Sequence, residues 1–322
     1  MAGLAYDRRM PTDQTQRFRY RLGLNQPANS PTAQRLTEMA QAIGQETGGE
    51  LLVEVFPESQ LGPDPKMFAD MRAGALEFFM AGATLGEVAP TSALPLLPFA
   101  FRDSKAVFAA LDGALGDQLR SELAQHGIHA FRHCLQNGFH HLTTSTRPIH
   151  TAADLVGAKI RSPGGAIARD FFEVFGAEAG YVPFSQMYEA LKARDFHGQS
   201  DPLGVVLSLR LYEVQSYLSL SAHWWSGFTL LANAAAWCAL PRVLQDAVER
   251  NVEKYALLQR ADIEQVNAAG ADELARLGMQ VNTADTASFR AGLTPFYARW
   301  RERAGPTTWR LLESYANGPG WP

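Results

Sequence analysis

The residue with the plainest chemical potential is Arg161, which ends the short β-prone run Ala158-Lys159-Ile160-Arg161 and precedes Ser162-Pro163-Gly164-Gly165 and a helical pattern. The carboxyl end of a strand in an open α/β sheet is where ligands usually lie. A guanidinium placed there has the fork geometry to hold a carboxylate through two parallel hydrogen bonds. By spacing alone, the same residue reads equally well as a solvated arginine at a strand end. Asp201, in Gln199-Ser200-Asp201-Pro202, stands in a turn-like context where aspartate commonly caps a local backbone group. Trp224 and Trp225, beside His223, offer flat surfaces that can cover a ligand, although such tryptophans ordinarily pack in a core or between lobes.

His126, His129, His133, His140, His141 and His150 fall close together and raise the question of a metal. On a strand, His140 and His141 point to opposite faces, so one site cannot easily use both. Surface or hydrogen-bonded histidines are the simpler reading, and no metal and no cofactor are expected. The chain lacks G-x-S-x-G, H-E-x-x-H, the P-loop and G-x-G-x-x-G. Asp201 with His140 is the one acid–base pair an enzyme could draw on. Cys134 and Cys238 show no C-x-x-C spacing, which argues against a metal or redox framework. They read as small buried apolar residues, with a disulfide as the alternative.

The elements that must position these side chains follow from pattern. At 322 residues the chain exceeds one ordinary core, so two lobes are expected. A 46% hydrophobic, 19% charged composition is that of a globular protein. The net charge of −4, with no long run of either sign, gives nucleic-acid binding no support. No stretch approaches the ~18–20 apolar residues of a membrane span. Tyr20, Leu22 and Leu24 alternate as one face of a strand, and Ser30-Pro31 supplies an N-cap with proline at the first helical position. Leu36, Met39, Ala40 and Ile43 recur at helical spacing until Gly48-Gly49, and Leu51 to Phe56 reads as a second strand. This strand–helix–strand opening favours a parallel sheet. A helix over Pro65 to Ala73, a strand over Leu76 to Met80, and helical turns between Asp103 and His126 broken at Gly113 and Gly116 follow. Ile128 to Thr144 is β-prone, and a second series runs through Ala166 to Phe175, Tyr181 to Phe184 and Ser185 to Ala193. Pro241 to Leu277 is periodic through Val243, Leu244, Ala247, Val248, Val252, Tyr255, Leu258, Ile263, Val266 and Ala269. A helix of that length exceeds one small lobe and should pack across both.

Together these segments resemble the solute-binding proteins of tripartite ATP-independent periplasmic (TRAP) transporters, from about Tyr20 to Arg301. The resemblance is carried by Pro57-Glu58-Ser59-Gln60-Leu61-Gly62, by Leu97-Pro98-Phe99-Ala100-Phe101 and by Arg147-Pro148-Ile149. Asp154-Leu155-x-Gly157-x-Lys159-Ile160-Arg161-x-Pro163 is its most specific stretch, and Pro183-Phe184-Ser185-x-Met187-Tyr188-x-Ala190-Leu191 extends it. Tyr212-Glu213-Val214-Gln215, Leu218, His223, Asn233 and Trp237 before Leu240-Pro241 complete it. The resemblance implies a two-lobed α/β periplasmic-binding-protein-like fold with a long helix spanning both lobes. It implies a receptor that closes over a small organic acid and hands it unchanged to TRAP membrane subunits. Arg161 then pairs with the ligand carboxylate and Phe184 lines the pocket. Gln60 of the turn and Gln26 of the polar loop Asn25 to Asn29 join Arg161, Phe184, Asp201, His140 and Trp224 as the candidate ligand-binding set.

Two positions depart from the family pattern. Gly138-Phe139-His140 stands where the family often has Gly-Phe-Arg, and Asp201 where it usually carries asparagine. An aspartate facing a bound carboxylate repels it unless it meets a hydroxyl or ammonium. A ligand with one carboxylate near Arg161 and a donor near Asp201 is therefore expected, such as a hydroxy, sugar or amino-acid-like compound, with an aromatic acid left open by the tryptophans. His140, if protonated, is the second candidate partner for the carboxylate. An enzyme or a signalling sensor on the same fold is the competing reading. The expected organisation is a tail over 1–16, a first lobe over 17–140 with about 226–258, a second over 141–225 with about 259–310, and a C-terminal tail over 311–322. Met1 to Gln16 is polar and lacks the apolar core of a secretion signal; the resemblance makes it a processed or replaced start and the location periplasmic. A monomer is expected, with the long helix as the surface for a dimer.

Overall fold

The computed structural model describes residues 17–163, 165–318 and 321, apart from the side chain of Glu87. The tail expected over 1–16 lies outside the described residues. The first elements are β1 (Phe18–Gly23), α1 (Pro31–Glu46), β2 (Leu51–Phe56), α2 (Asp64–Arg72) and β3 (Phe78–Ala81). As the capping pattern predicts, Ser30 accepts from the Ala33 amide at 3.2 Å, and α1 stops before Gly48 and Gly49, both with positive φ. β1 pairs in parallel with β2 and with β3. Tyr20, Leu22, Leu36, Met39 and Ile43 bury their faces in one core.

Next come α3 (Ser104–Leu111), α4 (Ala114–Gln125), β4 (Ile128–Ala130) and β5 (Leu135–Thr144). Gly116, expected to break this stretch, lies inside α4; a Cβ there would sit 1.7 Å from the Leu111 carbonyl oxygen, so glycine is kept for close approach and not for a turn. The second series is β6 (Lys159–Ser162), α5 (Ala166–Val174), β7 (Glu178–Tyr181), α6 (Met187–Lys192), β8 (Gly198–Pro202), α7 (Leu203–Ser208) and β9 (Tyr217–Leu220). β6 runs parallel to β7 and β8, and β5 lies antiparallel to β8 on one edge and to β9 on the other.

β10 (Trp225–Asn233) returns the chain to the first lobe, pairing antiparallel with β3 and β4. Its start also pairs with β5 from Leu135 to Phe139, with a register shift between Ser226 and Gly227. β5 and β10 thus each belong to both lobes and form the crossing. After α8 (Ala234–Ala239), the 35-residue α9 (Arg242–Arg276) runs about 50 Å at 1.5 Å per residue. Leu244, Val248, Val252 and Ala256 enter the first-lobe core, and Leu274 enters a core with Met187, Val206 and Leu218. The long helix therefore spans both lobes of a two-lobed mixed α/β fold. Not all its apolar positions are buried: Val243 is 67% exposed and Leu258 37%.

β11 (Gln280–Thr283), α10 (Thr286–Ala291) and α11 (Thr294–Glu313) close the chain, β11 pairing with β9. Leu312 is fully buried, the Asn317 and Gly318 amides both donate to the Ala100 carbonyl at 3.0 Å, and Trp321 stacks on Trp309. The segment 311–318, expected as a tail, is packed against the body because its apolar side chains complete a core that also holds Leu97, Phe101, Phe171 and Trp224. Cys134 is buried and Cys238 exposed, and both are free thiols, so the expectation of burial holds for the first alone.

Candidate functional site

The carboxyl ends of β1, β6 and β8 and the start of α2 supply a cluster of polar side chains. Arg161, on β6, is 2% exposed. Its Nη1 donates to Asp201 Oδ2 at 2.7 Å and its Nη2 to the Val182 carbonyl at 3.1 Å, while Nε is buried without a partner among the described residues. Asp201, 3% exposed at the end of β8, is brought there by the parallel register that sets Arg161 opposite Gln199. Burial pushes the Asp201 carboxyl up to about 6 in spite of the adjacent guanidinium.

The first lobe contributes Asn25, Gln26 and Asp64. Asn25 Nδ2 donates to Asp64 Oδ2 at 2.7 Å, and Gln26 Nε2 to Asn25 Oδ1 at 3.1 Å. Asp64 Oδ1 is buried with no partner among the described residues. Burial pushes the Asp64 carboxyl up to about 6, against the Asn25 hydrogen bond and the charge of Arg161. Tyr181, at the end of β7, has its phenol raised by burial and by Asp64 and lowered by Arg161. The two lobes therefore face one another across these groups, with two carboxyls and one guanidinium between them. Such a site can hold an anionic group on the arginine while its carboxylates accept hydrogen bonds from donors on the same molecule.

The other expected residues fall in different places. Phe184 is half-buried in the 3-10 turn Phe184–Gln186, one residue beyond the Val182 carbonyl's neighbour Pro183, and packs against the second-lobe core. Gln60 is exposed on a turn where Glu58 and Ser59 take positive φ. Trp224 is 1% exposed, edge-to-face with Phe171 at 5.0 Å and Phe172 at 5.8 Å, and so fills the core. His140 is buried with Nδ1 3.1 Å from Ser200 Oγ and Nε2 2.7 Å from Ser226 Oγ, and burial lowers its pKa to about 3. Its ring is therefore neutral at ordinary pH. It shares no hydrogen bond with Asp201, which is held by Arg161.

Asn25 and Asp64 are the site residues that sequence reasoning missed. Asp64 directly follows Leu61-Gly62-Pro63, beside the Gln60 turn, and an aspartate in a helix's first turn reads by default as a dipole partner. The partnerless Oδ1 in the cleft marks it as something more.

Fold and cleft together define a two-lobed solute-binding protein. The chain matches bacterial extracellular solute-binding protein, family 7, over residues 22–303, and it belongs to that family. It is 31% identical over 242 residues to the 2,3-diketo-L-gulonate-binding periplasmic protein YiaO of Escherichia coli, covering 75% of this chain and 74% of that one. Among solved structures it is similar to a TRAP periplasmic solute-binding protein from Polaromonas bound to D-erythronate, at 26% identity and a TM-score of 0.87, covering 92% and 98% of the two chains. A second, from Xanthobacter autotrophicus with bound β-D-galacturonate, gives 27% identity and a TM-score of 0.87 over 92% and 100%.

Proposed function

We propose that this chain is a periplasmic receptor for a small hydroxylated monocarboxylate, a sugar or hydroxy acid, which it delivers to TRAP membrane subunits without transforming it. The observation that carries the reading is the imbalance at the cleft: Arg161 serves Asp201 at 2.7 Å while Asp64 keeps a buried, partnerless Oδ1. A plain dicarboxylate adds two negative charges to that set. A polyhydroxy monocarboxylate adds one, and its hydroxyls donate to Asp64 and Asp201. Support also comes from the relatives, one a diketogulonate-binding protein and two solved with erythronate and galacturonate. Phe184 supplies the apolar wall, and Gln26 a further polar contact beside Asn25.

Binding proceeds by hinge closure about the β5–β10 crossing, because ligand that touches both lobes selects the closed form. The domain limits follow that crossing, near 140 on β5 and near 226 on β10. Calorimetry with D-erythronate, D-galacturonate and D-glucuronate set against succinate tests the proposal. Tighter binding of the hydroxylated acids is expected, with the compound recovered unchanged by mass spectrometry. Tightest binding of succinate would overturn the ligand class, and conversion of the bound compound would overturn the receptor role.

A further inference from the structure

A cavity of about 450 Å³ shares no lining residue with the Arg161, Asp201, Asp64 and Asn25 cluster, although its His141 stands opposite Asp201 in the β5–β8 pairing. Small-molecule pockets run to about 300–1,000 Å³, so the volume suits a compact ligand. Its walls come from β5 (Gln136, Phe139, His141), from α9 (Glu264, Asn267), from α10 (Arg290) and from the segment between Phe99 and Ser104.

The charges around it are unevenly satisfied. Asp103 Oδ1 caps the Ala106 amide at the start of α3, and Glu264 Oε2 accepts from Gln136 Nε2 at 3.1 Å. Neither Arg102 nor Arg290 has a carboxylate partner among the described residues: the Arg102 side chain is exposed, and Arg290 Nη1 donates to Thr286 Oγ1 at 2.9 Å. The Arg290 guanidinium also lies 5.4 Å over the Phe99 ring. Gln136 is 2% exposed and held by Ser104, Glu264 and Gln259, yet its Oε1 is buried without a partner among the described residues. A buried acceptor of this kind wants a donor. His141 Nδ1 accepts from the Ser221 and Ala222 amides, which leaves its proton on Nε2.

We infer that this cavity is a second small-molecule site, taking a hydroxylated aromatic monocarboxylate. The carboxylate pairs with Arg102 and Arg290, the ring lies among Phe99, Phe101 and Phe139, and the hydroxyl donates to Gln136 Oε1. This inference is independent of the sugar-acid reading of the cleft.

The test is calorimetry of the full chain with 4-hydroxyphenylacetate, repeated on Arg290→Ala, Arg102→Ala and Arg161→Ala, each first shown by circular dichroism to be folded. Arg290→Ala and Arg102→Ala should each weaken binding about tenfold or more, as for loss of a charge-assisted bond. Arg161→Ala should leave it within about twofold, well under the tenfold that 1.4 kcal/mol represents. D-Erythronate binding to the cleft, followed on the same samples, should show the reverse pattern. Should Arg290→Ala fail to fold, Arg102→Ala carries the test alone, since that side chain is exposed. No 4-hydroxyphenylacetate binding at millimolar concentration overturns the inference. So does binding that Arg161→Ala abolishes, because the aromatic acid then occupies the cleft.

Discussion

Arg161 Nη1 lies 2.7 Å from Asp201 Oδ2 with both side chains nearly fully buried, so the guanidinium at the cleft is partly neutralised before any ligand arrives. Asp201→Asn keeps an acceptor for Nη1 and removes a carboxyl that burial raises to about 6, whose ionised form penalises the folded state at neutral pH, so it should stabilise the ligand-free protein at pH 7 by about 1–3 kcal/mol. The same change should raise affinity for succinate relative to D-erythronate, as a carboxylate competitor for Arg161 is lost. Arg161→Ala should weaken sugar-acid binding about 100-fold or more, the loss of two charge-assisted bonds. Thermal melts and calorimetry on the two variants check both. Unchanged selectivity in Asp201→Asn would separate Asp201 from the ligand's surroundings.

Asp64 sets the pH dependence of binding. Its carboxyl, pushed up to about 6 mainly by burial, is ionised in the free protein at neutral pH. An arriving anion raises that pKa further, so binding takes up a proton. Affinity for a monocarboxylate should therefore rise as pH falls from 8 toward 6, by up to about tenfold per unit for one proton. Titrations in buffers of different ionisation enthalpy read the proton directly. Asp64→Asn should make the profile shallower, with Asp201 at its own value of about 6 supplying the remainder; a flat profile in the unaltered protein would place Asp64 away from the bound anion.

The long helix, the parallel opening and the strand bearing Arg161 are legible because each rests on local signals: the Ser30-Pro31 cap, the spacing from Leu244 to Leu274, the run ahead of Arg161. The cleft is less so. Asn25 and Asp64 are 39 positions apart, and their 2.7 Å contact arises from two βα turns at one end of a parallel sheet, which no local pattern reports. The burial of Trp224 and His140 is hard to read for a related reason: which face carries α5, with Phe171 against both Trp224 and His223, is decided by tertiary packing.

Gly138 marks where β5 leaves β10 for β8. Its φ is +125°, and a Cβ there would meet Asn267 Nδ2 at 2.3 Å, the atom that donates to the Asn137 carbonyl. An L side chain is strained by the backbone and by the close approach together, so Gly138→Ala should cost about 2–4 kcal/mol. Urea denaturation checks the value. An alanine variant as stable as the unaltered chain would show that the crossing tolerates a different backbone path.

The two free thiols differ sharply. Cys134 is buried beside Arg260, whose Nη2 lies 3.3 Å from Sγ, and burial pushes the thiol up to about 11, whereas Cys238 is exposed on α8. Reaction needs an accessible thiolate. Native protein should therefore take up one equivalent of a maleimide, at Cys238, and two after unfolding in guanidinium, as read by mass spectrometry. Two equivalents under native conditions would mean that the Cys134 core opens readily.

Acid stability is governed by buried histidines. Burial lowers His140 to about 3, His141 to about 4 and His223 well below its ordinary value. Each is neutral when folded but binds a proton near 6.5 when unfolded, so the stability they permit is complete above 6.5 and is lost as pH falls. Asp64 and Asp201 act with the opposite sign. With folded values of about 6 against an ordinary 3.8, they penalise the folded state at neutral pH and relieve it on acidification. Near pH 5 these three histidines, with His129 lowered to about 4 by burial as well, outweigh the two carboxyls by about two protons, a loss of about 2.7 kcal/mol per pH unit. Urea midpoints at pH 7.5, 6 and 5 should fall in that order. His223→Gln, if folded, should make the decline shallower, and midpoints that rise toward pH 5 would show that the carboxyl pair, with its two protons, controls the balance instead.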